Sequence, residues 1–126
     1  MVVDTSALMA IVLDETDADR VGHALEQEQQ VALSAVSLAE ALVVAQLRGV
    51  GAEMQRLVEG LGVEVVPVTA ADAQRVARAY QQWGKGAHPA GLNFGDCFAY
   101  ALAQARECPL LFVGDDFART DVQRAN

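Results

Sequence analysis

Five acidic residues stand where chemistry can use them. Asp4 directly follows the apolar run Met1-Val2-Val3, and Asp115 and Asp116 close the run PLLFVG. Glu40 sits within SLAEALVVA, and Asp96 within GLNFGDCFAYALA. Carboxylates brought close together raise one another's pKa, so a cluster of them is costly until a cation neutralises it. Magnesium and manganese are hard ions that prefer oxygen ligands, use one or two carboxylates each, and keep several waters. An ion held this way activates water and stabilises charge developing on a phosphate. A phosphodiester is the natural substrate for such a site.

Each acid also has a local explanation. Ser37-Leu38-Ala39-Glu40 reads as a capping box, with Glu40 bonding back to a helix start. Asp96 favours the dipole of the helix that begins near Asn93. Asp115 and Asp116 suit a turn. Asp4 suits a helix N-cap, but Ser6 is placed to fill that role. The case for chemistry is therefore convergence, and convergence depends on the fold.

The elements that must position these acids alternate. Met1 to Val3 reads as a buried strand, followed by a helix from Ala7. Asp14 to Glu28 reads as a helix, Val31 to Ala35 as a strand, and Ser37 to Gly49 as a helix. Ala52 to Leu61 is a further helix closed by Gly62. Val63 to Val68 is strand-like, with Pro67 marking a break or an edge. A helix follows from Thr69 to Trp83, then a Gly-rich loop to Leu92, a helix from Asn93 to about Glu107, and a last strand in PLLFVGDD that ends on carboxylates, followed by a polar tail. Short apolar strands alternating with helices predict an α/β fold, a parallel sheet covered on both faces. Ligands of such sheets bind beyond the carboxyl ends of the strands. Asp4, Glu40, Asp96 and the Asp115–Asp116 pair all fall at that edge.

The totals set bounds. A chain of 126 residues, 52% hydrophobic and 21% charged, reads as one ordered domain. Its net charge of −8 lacks the basic footprint of most nucleic-acid binders. A metal-loaded acidic site answers that objection, because the ion attracts the backbone that bare carboxylates repel. Cys97 and Cys108 are too few and too far apart for a zinc cluster or a disulfide framework, and reduced thiols in the cytoplasm are expected. The start of the chain lacks a basic region leading into a long apolar run, so no leader is expected. No apolar stretch is long enough for a membrane span.

MVVDTSAL, SLAEA, GLNFGDCFAYALA and LLFVGDDFARTDV, in this order and spacing, resemble the PIN-domain ribonucleases, and within them the VapC toxins of bacterial toxin–antitoxin pairs. The resemblance implies a single PIN domain over residues 1–126. It implies a PIN-like three-layer α/β/α sandwich with a short central parallel sheet. It implies Mg2+- or Mn2+-dependent cleavage of RNA, a cognate VapB-type antitoxin, a homodimer and a cytoplasmic location. By motif position Asp4, Glu40 and Asp96 match the core acids. Of the pair in GDDF, Asp116 is favoured as the fourth acid, with Asp115 the alternate. Thr5 and Ser6 match positions that brace the site through hydroxyls. The implied mechanism has one or two ions, bound mainly by Asp4 and Asp96, positioning a water for in-line attack. Glu40 binds a metal water or takes its proton, and Asp116 completes the cluster.

Other residues invite a role. Lys85, His88, Asn93 and Arg119 are candidates for RNA contact. Tyr100 and Phe94 can stack on a base, although both types more often serve the core. His23 lies in a polar helix and reads as surface. Val43, Val44 and Leu47, with Met54, Leu57 and Val58, suggest apolar helix faces whose excess forms a dimer seam or an antitoxin groove. Two other classes remain open. An aspartyl-phosphate phosphatase would carry a second Asp where this chain has Ser6. A non-enzymatic module with an acidic surface is the plainer alternative.

Overall fold

Strand alternation explains the layering. In a computed structural model that describes residues 1–125, Val2 points into one core cluster and Val3 into the other. Ala32 and Leu33 divide in the same way, as do Leu110 and Leu111. Successive residues of a strand face opposite sides of a sheet, so two clusters mean two covered faces. The strands are β1 (Val2–Val3), β2 (Ala32–Ser34), β3 (Glu64–Val66) and β4 (Leu110–Leu111). They form one parallel sheet in the order β3-β2-β1-β4.

The helices are α1 (Thr5–Val12), α2 (Ala18–Glu26), α3 (Ala35–Leu47), α4 (Gly51–Leu61), α5 (Ala70–Trp83) and α6 (Phe94–Arg106). One face of the sheet packs against Leu8 of α1, Val21 of α2, Ala41 of α3 and Met54 of α4. The opposite face packs against Val76 of α5 and Cys97, Ala99 and Tyr100 of α6. The result is the three-layer α/β/α arrangement expected from the sequence, with a sheet only two or three residues deep. Such shallow strands hold together because both faces are buried; a free hairpin of this length is marginal in water.

Local chemistry sets the element ends. Thr69 and Asp72 form a reciprocal capping box at the start of α5. Gly62 ends α4 in the left-handed region at φ 60°, where a side chain is disfavoured. Three expectations change. The helix predicted from Asp14 begins at Ala18, after a turn in which Asp14 has φ 52°. The strand predicted over Val63–Val68 is shorter and is not shielded: it is the sheet edge, Glu64 is exposed, and Val65 is 41% exposed. Glu64 blunts that edge by a two-pronged pair with Arg106, both N–O distances 2.7 Å. The polar tail also returns to the sheet. Leu110 N donates to Gln123 O at 2.8 Å and Ala125 N to Leu110 O at 3.0 Å, so the chain lies along the free side of β4.

Cys97 is buried and Cys108 half-buried, and both are free thiols. Among the described residues, no helix is long and apolar enough to cross a membrane.

Candidate active site

Asp4 is fixed by its backbone before its side chain is considered. Its N–H donates to Leu111 O at 2.9 Å, which places it between β1 and β4 at the carboxyl end of the sheet. Asp4 is also the N-cap of α1, a role the sequence had assigned to Ser6. With β1 only two residues long and the helix starting at Thr5, Asp4 is the last extended residue. Its Oδ2 accepts from Ser6 N at 3.0 Å and from Ser6 Oγ at 2.6 Å. Ser6 Oγ accepts in turn from Val113 N at 3.0 Å, on the segment that leads to Asp115 and Asp116. Thr5 Oγ1 donates to Ser37 O at 2.9 Å and ties α1 to the helix that carries Glu40. Both hydroxyls therefore cross-link the segments that bear acids.

The expected Ser37–Glu40 capping box does not form. Ser34, the last residue of β2, caps α3 by accepting from Val36 N at 3.3 Å. The strand hands over directly to the helix, so Ser37 lies inside the first turn and Glu40 in the second. Ser37 is 1% exposed, and its Oγ has no hydrogen-bond partner among the described residues. Glu40, released from capping, lies against Gly95 of α6. A methyl group on Gly95 would stand 2.7 Å from Glu40 Oε2. Sequence reasoning passed over Gly95. The available signal was a helix-disfavoured residue in the first turn of a strongly helical segment.

Asp96 lies in the first turn of α6, as expected. Asn93 Oδ1 accepts from Asp96 N at 2.8 Å, and Asp96 Oδ2 accepts from Asn93 N at 3.0 Å. Its carboxyl pKa is pushed up to about 7, mainly by burial. The Asn93 N–H opposes this, and the charges of Asp4, Asp116 and Glu40 reinforce it. Burial likewise raises Asp4, which is 3% exposed; the Ser6 hydrogen bonds offset part of the rise and the charge of Glu40 adds to it. Asp116 is exposed and heads the 3-10 turn Phe117–Arg119 without a side-chain capping bond. Asp115 is exposed as well, but the charges acting on Asp96 are those of Asp4, Asp116 and Glu40.

The four carboxylates 4, 40, 96 and 116 thus form one electrostatic cluster around Asp96. Among the described residues, no three His, Cys, Asp or Glu side chains stand close enough to hold a single ion together. Two of the acids are turned onto their caps, Asp4 to Ser6 and Asp96 to Asn93. An all-oxygen donor set, with Asp4 and Asp96 raised by burial, fits a hard divalent cation, which takes one or two carboxylates and retains water rather than filling a protein cage.

A pH dependence follows. In the unfolded chain the Asp96 carboxyl ionises near 3.8, whereas in the folded protein it holds its proton to about 7. Between those values the native state binds more protons, so stability falls as pH rises through this window and levels off above it. Asp96→Asn removes that contribution. Thermal melts from pH 4 to 8 without metal are expected to show a shallower decline for the variant than for the wild type. Parallel curves would exclude the assigned coupling.

The peripheral candidates divide. His88 Nδ1 accepts from Ala90 N at 2.9 Å, and its ring packs edge-on to Trp83 at 4.7 Å, so it builds its own loop. Asn93 spends its side-chain oxygen on the cap of α6. Lys85 is exposed; Arg119 is also exposed and donates to Pro89 O at 3.3 Å. His23 is exposed, as expected, beside Gln27. Tyr100 belongs to the core: its hydroxyl accepts from Trp83 Nε1 at 2.9 Å and Gln104 Nε2 at 2.7 Å, and donates to Asp121 at 2.5 Å. Phe94, expected more often in the core, is 67% exposed.

Comparison with known proteins gives this geometry a family. The PIN domain family model matches residues 1–123. Ribonuclease VapC30 of Mycobacterium tuberculosis (strain ATCC 25618 / H37Rv) is 42% identical over 125 residues, covering 97% of this chain and 95% of the relative. The crystal structure of Mycobacterium tuberculosis VapC20, a Sarcin-Ricin loop cleaving toxin, superposes with a TM-score of 0.78 at 16% identity, covering 96% and 95% of the two chains. VapBC-5 from the same organism, a member of the VapBC family of toxin-antitoxin systems, gives a TM-score of 0.66 at 26% identity, over 98% of this chain and 92% of that one. With a family match and a close relative both spanning nearly the whole length, the chain belongs to the PIN-domain family and, within it, to the VapC ribonucleases.

Proposed function

We propose that this ribonuclease is a Mg2+- or Mn2+-dependent endonuclease that cleaves RNA by attack of water on phosphorus, and that it is the toxin of a VapBC-type pair. The observation that carries the reading is the coupling of Asp96 to Asp4, Glu40 and Asp116, four acids from distant segments meeting at one sheet edge. Asp4 and Asp96 would hold the ion. When bound, the ion supplies Lewis acidity at the phosphate and lowers the pKa of a coordinated water. Glu40 accepts the proton of the attacking water. The new P–O bond forms in line as the ester P–O bond breaks, and the leaving oxygen takes a proton from solvent. Asp116 completes the charge set. Ser6 keeps the Asp4 carboxylate oriented, as hydrogen bonds behind a ligand do.

The partner reading rests on similarity to VapBC complexes and on surface. Val43 and Leu47 of α3 are 55% and 81% exposed, while Ala41, Ala45 and Met54 are buried in the core. That apolar excess serves a homodimer seam or the antitoxin's segment, and the acidic net charge suits a basic inhibitor. A cytoplasmic location fits both the RNA substrate and the free cysteines.

The test pairs cleavage with metal removal. Wild-type protein is expected to cut single-stranded RNA with millimolar Mg2+ or Mn2+ and to stop when excess EDTA is added. The same ions are expected to raise the melting temperature, because a ligand that binds only the native state stabilises it. The Asp4→Asn variant loses most of that rise. A protein that neither cuts RNA nor gains stability with metal is the non-enzymatic acidic module instead.

A further inference from the structure

Phe94 is the first residue of α6 and is 67% exposed. Helix formation asks nothing of this side chain, since Asn93 and Asp96 supply the capping box. Its ring is nevertheless braced. It meets Phe98 edge-to-face, with centroids 4.9 Å apart and planes at 78°. Phe98 packs on the core and lines a groove with Val66, Pro67 and Val68. Phe94 has only two side-chain torsions, so such bracing leaves little entropy to lose on binding. Its Cα lies about 5.5 Å from that of Asp96 by helix geometry. The residue between them is Gly95, against which Glu40 rests. The exposed ring therefore stands at the end of α6 that carries Asp96, on a different side of the helix from that carboxylate.

We infer that Phe94 is a stacking platform for one nucleobase beside the scissile phosphate of single-stranded RNA, an inference that rests on the nuclease reading above. Every base presents a π-face, so an aromatic side chain holds a strand without demanding a sequence. This chain has a particular need for such a contact. Its net charge of −8 offers little attraction to the backbone away from the ion. A protein segment is the poorer occupant at the ring itself, because Phe94 shares the first turn of α6 with Asp96 and is followed by Gly95, against which Glu40 rests. Val43 and Leu47 of α3 offer further exposed apolar surface.

The experiment uses metal-loaded protein and two matched RNAs, one intact and one with an abasic ribose at each nucleotide flanking the cut. Phe94→Ala is expected to lower kcat/KM on intact RNA about 10-fold, and Phe94→Trp to restore it. On the abasic RNA, wild type and Phe94→Ala cut at equal rates. Binding of RNA carrying 2-aminopurine beside the cut, measured with the metal-loaded, cleavage-deficient Glu40→Gln protein, loses its fluorescence quenching when Phe94→Ala is added. Equal cutting of intact RNA by wild type and Phe94→Ala overturns the inference and leaves the nuclease reading intact. So does a defect that persists on abasic RNA, or a variant that loses only inhibition by its antitoxin. A wild type that cuts neither RNA removes both readings.

Discussion

Asp96→Asn is expected to reduce RNA cleavage by about 100-fold or more, with no loss of folding. The substitution separates two duties of one side chain. As the third residue of α6, Asp96 accepts from Asn93 N, and an Asn carbonyl oxygen can accept the same bond. The helix start therefore survives. What disappears is the negative charge at the centre of the cluster, on which Asp4, Asp116 and Glu40 all act. Without metal at neutral pH, the variant should melt at or above the wild-type temperature, because a buried like-charge repulsion is gone. With Mg2+ it should gain little. Initial rates of RNA cleavage and paired melts with and without metal check both halves. Cleavage within about three-fold of wild type would remove Asp96 from the mechanism.

The second large effect is expected from the smallest change. Gly95→Ala should cost about 10- to 100-fold in cleavage, in keeping with the sensitivity of rates to misplacement of a reacting group by about 1 Å. In an ordinary helix position this substitution stabilises by about 1 kcal/mol. Here the added methyl would stand 2.7 Å from Glu40 Oε2, the far end of a flexible side chain. Glu40 can swing away, so the protein should fold well and work poorly. A double-mutant cycle isolates the cause. In a Glu40→Ala background, Gly95→Ala should cause no further loss of cleavage. Additive losses would show that Gly95 acts on something other than Glu40.

What could be read from residues alone was the placement of whole elements. The alternation of apolar runs and helical segments located the strands, and Asp4 and Asp96 occupy the strand end and the first helical turn that their spacing indicated. What could not be read was the choice between neighbouring polar groups. Asp4 and Ser6 compete for one cap, as do Ser34 and Ser37, and the outcome depends on where a strand of two or three residues stops. Pairing across the sheet decides that, through bonds such as Asp4 N to Leu111 O, more than a hundred positions apart in sequence. Glu40 moved from the first turn to the second for the same reason. The contact between Glu40 and Gly95 and the exposure of Phe94 arise from the packing of α3 against α6, which no local pattern records.

The pairing of β1 with β4 has a consequence for the cell that makes this protein. A ribosome supplies Asp4 and Glu40 before β3 is made, and Asp96 and Asp116 only with α6 and the segment after β4. Until the last strand emerges, the first has no neighbour on one flank, and the acids of the opening half have no counterparts. On the proposed reading, a translation product that stops before β4 is expected to leave RNA uncut. If the four acids act together as proposed, cleavage waits until the segment after β4 has joined the sheet, and an inhibitor is needed from that moment on.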